Sequence, residues 1–205
     1  MDENINDSIF IKYWRAYGGF TAILKSQYFW TSALLTLILF PHWAYPGWWD
    51  TVLSVMPSVL GFSLGGFAMW MSVGDNEFKS IIAGTEDDDL TSPFMEVNAT
   101  FAHFILLQLS SIVLAIISKA YDIKFPPDSF IYKIFGGAFF YFDISLYFIG
   151  YFVFIYALLT SFAAVMALFR VSSWYDEMQT EKLKKEKEKE KEKEKEKEKE
   201  KEKET

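Results

Sequence analysis

The chain has 205 residues, 51% of them hydrophobic and 19% aromatic, with a formal net charge of −7. Residues 181–205 hold 12 Lys and 11 Glu, so the rest of the chain sets 8 cations against 16 anions; an acidic body of this kind argues against nucleic acid as a partner, since phosphate binding requires clustered cations. No cysteine is present, which removes disulfides, thiol nucleophiles and Cys-based metal sites together.

Residues 1–27 form the first segment. Its first eight residues are acidic and polar, unlike the basic-then-apolar start of a cleavable signal peptide, so insertion is expected to rest on the later apolar segments. From Ser8 to Gln27, Ile9, Phe10, Tyr13, Trp14, Phe20 and Leu24 alternate with Lys12, Arg15 and Lys25. This pattern predicts an amphipathic helix in the membrane interface, broken at Gly18-Gly19.

Residues 28–170 read as a transmembrane domain of four crossings, at about 28–45, 52–73, 94–118 and 145–168. The first is the shortest and ends near Pro41 and His42. The aromatic turn that follows, with Trp43, Tyr45, Trp48 and Trp49, is expected at headgroup level. The second crossing, Val52 to Val73, carries no charge and spans about 33 Å as a helix, enough for the hydrocarbon layer. Pro57 is expected to kink it and Gly74 to end it. Loop 75–92 is polar and contains the acidic run Glu86 to Asp89. That run lacks the alternating ligands and turn glycine of a calcium loop and reads as solvated. Ser92 and Pro93 are placed to cap and open the third helix. The apolar stretch from Phe135 to Phe169 is too long for one upright crossing, so Phe135 to Phe142 is assigned to the interface. Residues 171–205 form a Lys/Glu tail without an apolar face.

These elements predict an all-α fold: an integral membrane four-helix bundle, an N-terminal interfacial amphipathic helix, and a disordered or partly helical charged C-terminal tail. Lys12, Arg15, Lys25, Lys79, Arg170 and the tail lysines fall on one side of the spans; Lys119, Lys124 and Lys133 fall on the other. Both termini are therefore expected in the cytoplasm, with the protein in the plasma (inner) membrane.

Two packing stripes stand out. Ser54, Ser58, Gly61, Gly65, Ala68 and Ser72 step by four and three along the second crossing, so all six share one helix face. Ala157, Thr160, Ala164 and Ala167 repeat the pattern in the fourth. Small faces allow close helix approach, either between these two crossings or between subunits.

The third crossing carries the candidate polar face: Glu96, Thr100, His103, Ser110 and Ser111 lie within roughly 60° of Glu96 at 100° per residue, while Gln108 points about 120° away. Intramembrane polar groups face a bundle interior or water. His42 and Asp143 are expected at the opposite membrane face from Glu96, so no acid–base pair forms with it. Metalloprotease, serine-hydrolase and phosphate-loop motifs are absent from the sequence. Asn98-Ala-Thr100 matches a glycosylation sequon, but its place at the start of a cytoplasmic-side helix argues against use.

The expectation is a non-catalytic scaffold or sensor subunit without a cofactor. Its partners are membrane lipid and either itself, as a homo-oligomer, or another protein engaged through loop 75–92 and the tail. The alternative is a homo-oligomeric channel or membrane-perturbing effector lined by the polar face of the third crossing.

Overall fold

The computed structural model describes residues 8–72, 76–84, 91–122 and 129–203. The acidic run Glu86 to Asp89 and the Pro126-Pro127 turn lie outside them. Among the described residues every regular element is a helix: α1 (Ile9–Tyr17), α2 (Gly19–Lys25), α3 (Gln27–Ile38), α4 (Phe40–Trp43), α5 (Trp48–Ser72), α6 (Asn76–Ala83), α7 (Pro93–Ala120) and α8 (Phe130–Lys203).

Three of these helices are long and apolar enough to cross a membrane: α5, α7 and the part of α8 from Phe140 onward. Residues 28–45 do not supply a fourth helix of that kind. α3 has 12 residues, about 18 Å, against a hydrocarbon layer of about 30 Å. Pro41 has no N–H with which to continue the ladder, and the helix gives way to α4. The Trp43 indole then folds back to donate to the Thr36 carbonyl at 2.6 Å.

α7 is the central element, packed against α1, α5, α6 and α8. It starts as its sequence predicts, with Pro93 in the first turn and the Ser92 hydroxyl accepting from the Met95 N–H at 3.3 Å. α5 continues through Pro57 without a break. Its buried face carries Val52, Met56, Ser63 and Trp70, held to α7 by two polar joints. Gln108 donates to the Ser63 hydroxyl at 3.0 Å, and the Trp70 indole donates to the Asn98 side chain at 2.9 Å.

Two apolar clusters fill the bundle. The upper one joins Trp43, Trp48, Trp49, Tyr147 and Tyr151. Trp43, Trp48 and Trp49 of the expected aromatic turn are buried, packed with Tyr147 and Tyr151 of α8. Gly150 makes this possible, because a Cβ there would lie 2.5 Å from the Trp48 ring. The lower cluster includes Trp70, Phe101, Phe104 and Val171. Part of the expected polar loop joins it: within 75–92, Asn76–Ala83 is helical, with Phe78 and Ile82 buried.

α8 runs unbroken from Phe130 to Lys203, so the Lys/Glu tail, expected to be disordered or partly helical, is helical through its described residues. Lys and Glu are strong helix formers, opposite charges recur at i,i+3, and the apolar part of α8 supplies the nucleus that an isolated charged peptide lacks.

Candidate functional site at the His103 face

Ion pairs mark the two ends of α7. Lys119 meets Asp50 of α5 at 2.9 Å, and Glu96 meets Arg170 of α8 at 3.4 Å. The two levels are about 35 Å apart along the helix. His103 lies about 10 Å inside the Glu96 level, and α1 docks there.

Gly18 ends α1 in a left-handed conformation, φ +92°, where a side chain would be strained. This turn brings Tyr13 and Tyr17, one helical turn apart, to face α7. The Tyr13 hydroxyl and His103 Nδ1 share a hydrogen bond of 2.7 Å. The Tyr17 ring stacks on the imidazole with centroids 3.9 Å apart and planes 19° from parallel. Tyr156 of α8 approaches edge-on at 6.1 Å. Burial raises the Tyr13 hydroxyl to about 12, with a smaller contribution from Tyr17; burial also raises Tyr17. Both phenols of α1 are therefore neutral at physiological pH.

Beside this cluster lies a cavity of about 410 Å³ between α1–α3 and the Glu96–Arg170 ends of α7 and α8. Glu96, Thr100 and Tyr17 contribute to its wall, with Arg170 at the charged end. Thr100 turns its hydroxyl back to the Glu96 carbonyl at 2.9 Å.

The predicted polar face is thus divided. Glu96 and Thr100 line the cavity, and His103 is buried under α1. Ser110 is exposed, while Ser111 is buried and its hydroxyl finds no partner among the described residues. Gln108 makes the separate contact with Ser63. His42 lies against Tyr151 at the opposite end from Glu96. No group of three His, Asp or Glu side chains able to hold a metal occurs among the described residues.

The two small-residue stripes have different fates. Ala157, Thr160, Ala164 and Ala167 are buried on a helix whose neighbours are chiefly α7 and α3. Ser54, Ser58, Gly61, Gly65, Ala68 and Ser72 are all exposed, and nothing lies within 4 Å of a Cβ built at Gly61 or Gly65. The two stripes therefore do not meet within one chain. The physical reason is the pair of joints from Ser63 and Trp70 to α7, which turn the stripe about 180° away from the packed face at 100° per residue.

Tyr13, Tyr17, Tyr156 and Arg170 complete the site and were not among its expected residues. The available signal was the i,i+4 spacing of Tyr13 and Tyr17, two aromatic rings with polar tips on one helix face. Comparison of the chain with family models, curated proteins and solved structures finds no match.

Proposed function

We propose that this chain is a non-catalytic, multi-pass membrane subunit that acts through partner proteins, with α1 as a docked sensing or scaffolding element. The observation that carries this reading is the seating of Tyr13 and Tyr17 on His103. An amphipathic helix that only lay on the bilayer would spend its aromatic face on lipid. Here Tyr13 and Tyr17 are spent on one buried imidazole, a contact that an input at the membrane surface can make or release, while Ile9 and Phe10 stay exposed.

The reading places the Glu96–Arg170 end and both termini in the cytoplasm, in line with the distribution of Lys and Arg. α3 and α4 then make the first passage in pieces. Tyr28 lines the cavity beside Glu96 and Arg170, while Trp43 packs on Phe148, about 33 Å along α8 from Arg170. The exposed Ser54–Ser72 stripe is the seam for a second copy of the chain, and the helical tail projects as an arm for a cytosolic partner.

The division of the polar face weighs against the channel reading. A water path along α7 would need His103 uncovered and Ser110 turned inward. Affinity recovery from native membranes tests the proposal, using the full chain, a chain lacking residues 176–205, and His103→Leu. A defined partner set with the full chain, reduced in one or both variants, is the expected result. No enriched partner with any of them, together with depolarisation of expressing cells that is lost in His103→Leu, would replace this reading with the channel.

A further inference from the structure

The wall of the 410 Å³ cavity changes character along its length. At one end stand Arg170 and Glu96, 3.4 Å apart and more than half exposed, at 54% and 57%. Among the described residues of its lining they are the only charged ones, so the formal charge of that wall is zero. At the other end the cavity reaches Thr160, about 15 Å along α8 from Arg170. Between the two ends the α8 wall is apolar, with Ala163, Met166 and Ala167, while the facing wall carries the hydroxyl groups of Tyr17, Ser26, Tyr28 and Thr100.

A neutral wall built from one anion and one cation suits a head that carries both charges. An anion alone would meet Arg170 but would lie against Glu96, and a cation alone would face the reverse conflict. The apolar α8 wall, about 15 Å long, is longer than a headgroup needs and gives a hydrocarbon stem one side to lie on, with the hydroxyl-bearing wall facing its glycerol and ester oxygens. We propose that the cavity binds a zwitterionic amphiphile of the phosphatidylethanolamine class, its phosphate on the Arg170 guanidinium, its primary ammonium on the Glu96 carboxylate, and its upper stem along Ala163 and Ala167. Guanidinium matches phosphate in a bidentate fork. The carboxylate needs N–H donors, which a primary ammonium has and a quaternary choline lacks. The Glu96–Arg170 pair is no barrier, because an exposed ion pair contributes little and opens readily. This assignment rests on the membrane reading proposed above, which puts that pair at headgroup level.

The test is native mass spectrometry of the full chain in mild detergent with added phosphatidylethanolamine, phosphatidylcholine or phosphatidylglycerol, and with free phosphoethanolamine as competitor. Phosphatidylethanolamine should be retained about tenfold over phosphatidylglycerol, the scale of one charge-assisted contact. Glu96→Gln should erase that preference, and Arg170→Gln should weaken both lipids. Ala163→Phe should abolish retention by filling the stem half of the cavity. If Ala163→Phe is not monodisperse, Met166→Trp at an exposed position narrows the same wall. Equal or better retention of phosphatidylglycerol overturns the proposal, as does full retention by the wall-filling variant. Displacement of the lipid by equimolar phosphoethanolamine would overturn the lipid source in favour of a soluble zwitterion. Partner recovery with the same variants separates the two claims. Intact recovery without lipid preference removes this site alone, and intact preference without recovery removes the functional reading alone.

Discussion

The Tyr13 hydroxyl and His103 Nδ1 lie 2.7 Å apart across 90 residues of chain, and with the stacked Tyr17 ring they fix where α1 sits on α7. Tyr13→Phe removes the hydrogen bond and keeps the ring. The expected cost is about 1 kcal/mol, or about fivefold in the opening of α1. Hydrogen exchange should show that increase over Ile9–Tyr17 and no change at the centre of α7. A uniform increase through both helices would mean that the contact supports the whole bundle and not the docking of α1.

The same contact gives α1 an alkaline limit. The Tyr13 hydroxyl is raised in the folded state to about 12 from an ordinary value of 10.0, chiefly by burial. The folded state therefore holds this proton more tightly than the undocked state. Its contribution is complete below about pH 10 and is lost as pH rises toward 12. A dye on Ile11→Cys, the only thiol in the chain, should become more open to an aqueous quencher across that window. Tyr13→Phe should reduce the transition to the part that Tyr17, also raised by burial, supplies, and Tyr13→Phe with Tyr17→Phe should flatten it.

Glycines separate packing within the chain from packing between chains. Gly150→Ala would bring a Cβ to 2.5 Å from the buried Trp48 ring, so it should destabilise the bundle by about 1–3 kcal/mol. Gly61→Ala and Gly65→Ala meet nothing within 4 Å and should not lower the thermal midpoint in detergent, Ala being the better helix former. Gly61→Leu and Gly65→Leu should reduce oligomer size without loss of helix. Unchanged size in both leucine variants would remove the stripe as a subunit seam.

Gln108 and Ser63 offer a measure of polar coupling inside the span. The Gln108 side chain donates to the Ser63 hydroxyl at 3.0 Å in a buried setting. A double-mutant cycle with Gln108→Leu and Ser63→Ala should give a coupling near the ~0.6 kcal/mol typical of such bonds between membrane helices. A value indistinguishable from zero would show that this joint adds nothing to the packing of α5 on α7 and would leave the Trp70–Asn98 bond as a polar link between them.

What the sequence made legible was local. Uncharged length located α5 and α7, and the Ser92-Pro93 pair marked the start of α7. The Gly18-Gly19 break falls where the two glycines adopt positive φ. The expected four-helix bundle was not legible in that form. The 28–45 segment matches a short crossing in hydropathy, but the bend after Leu39 depends on Pro41 and on the Trp43 to Thr36 bond, a contact between side chain and backbone that hydropathy does not record. The rotation of α5 was equally hidden. Six small residues marked one face clearly, yet the opposite face won because Ser63 and Trp70 found partners on α7. Of the site, Glu96, Thr100 and His103 could be placed on one face from periodicity. Their division between a cavity wall and a covered imidazole depends on α1, which is separated from α7 by most of the domain.

The most direct measurement replaces Tyr17, whose ring lies 3.9 Å from that of His103, with the photo-crosslinking residue benzoylphenylalanine, in a chain kept in its native membrane. After irradiation, peptide mapping should find the adduct on α7 around His103 or on α8 around Tyr156. Adducts to lipid alone, with none on α7 or α8, would show that α1 lies free in the interface and would contradict the account.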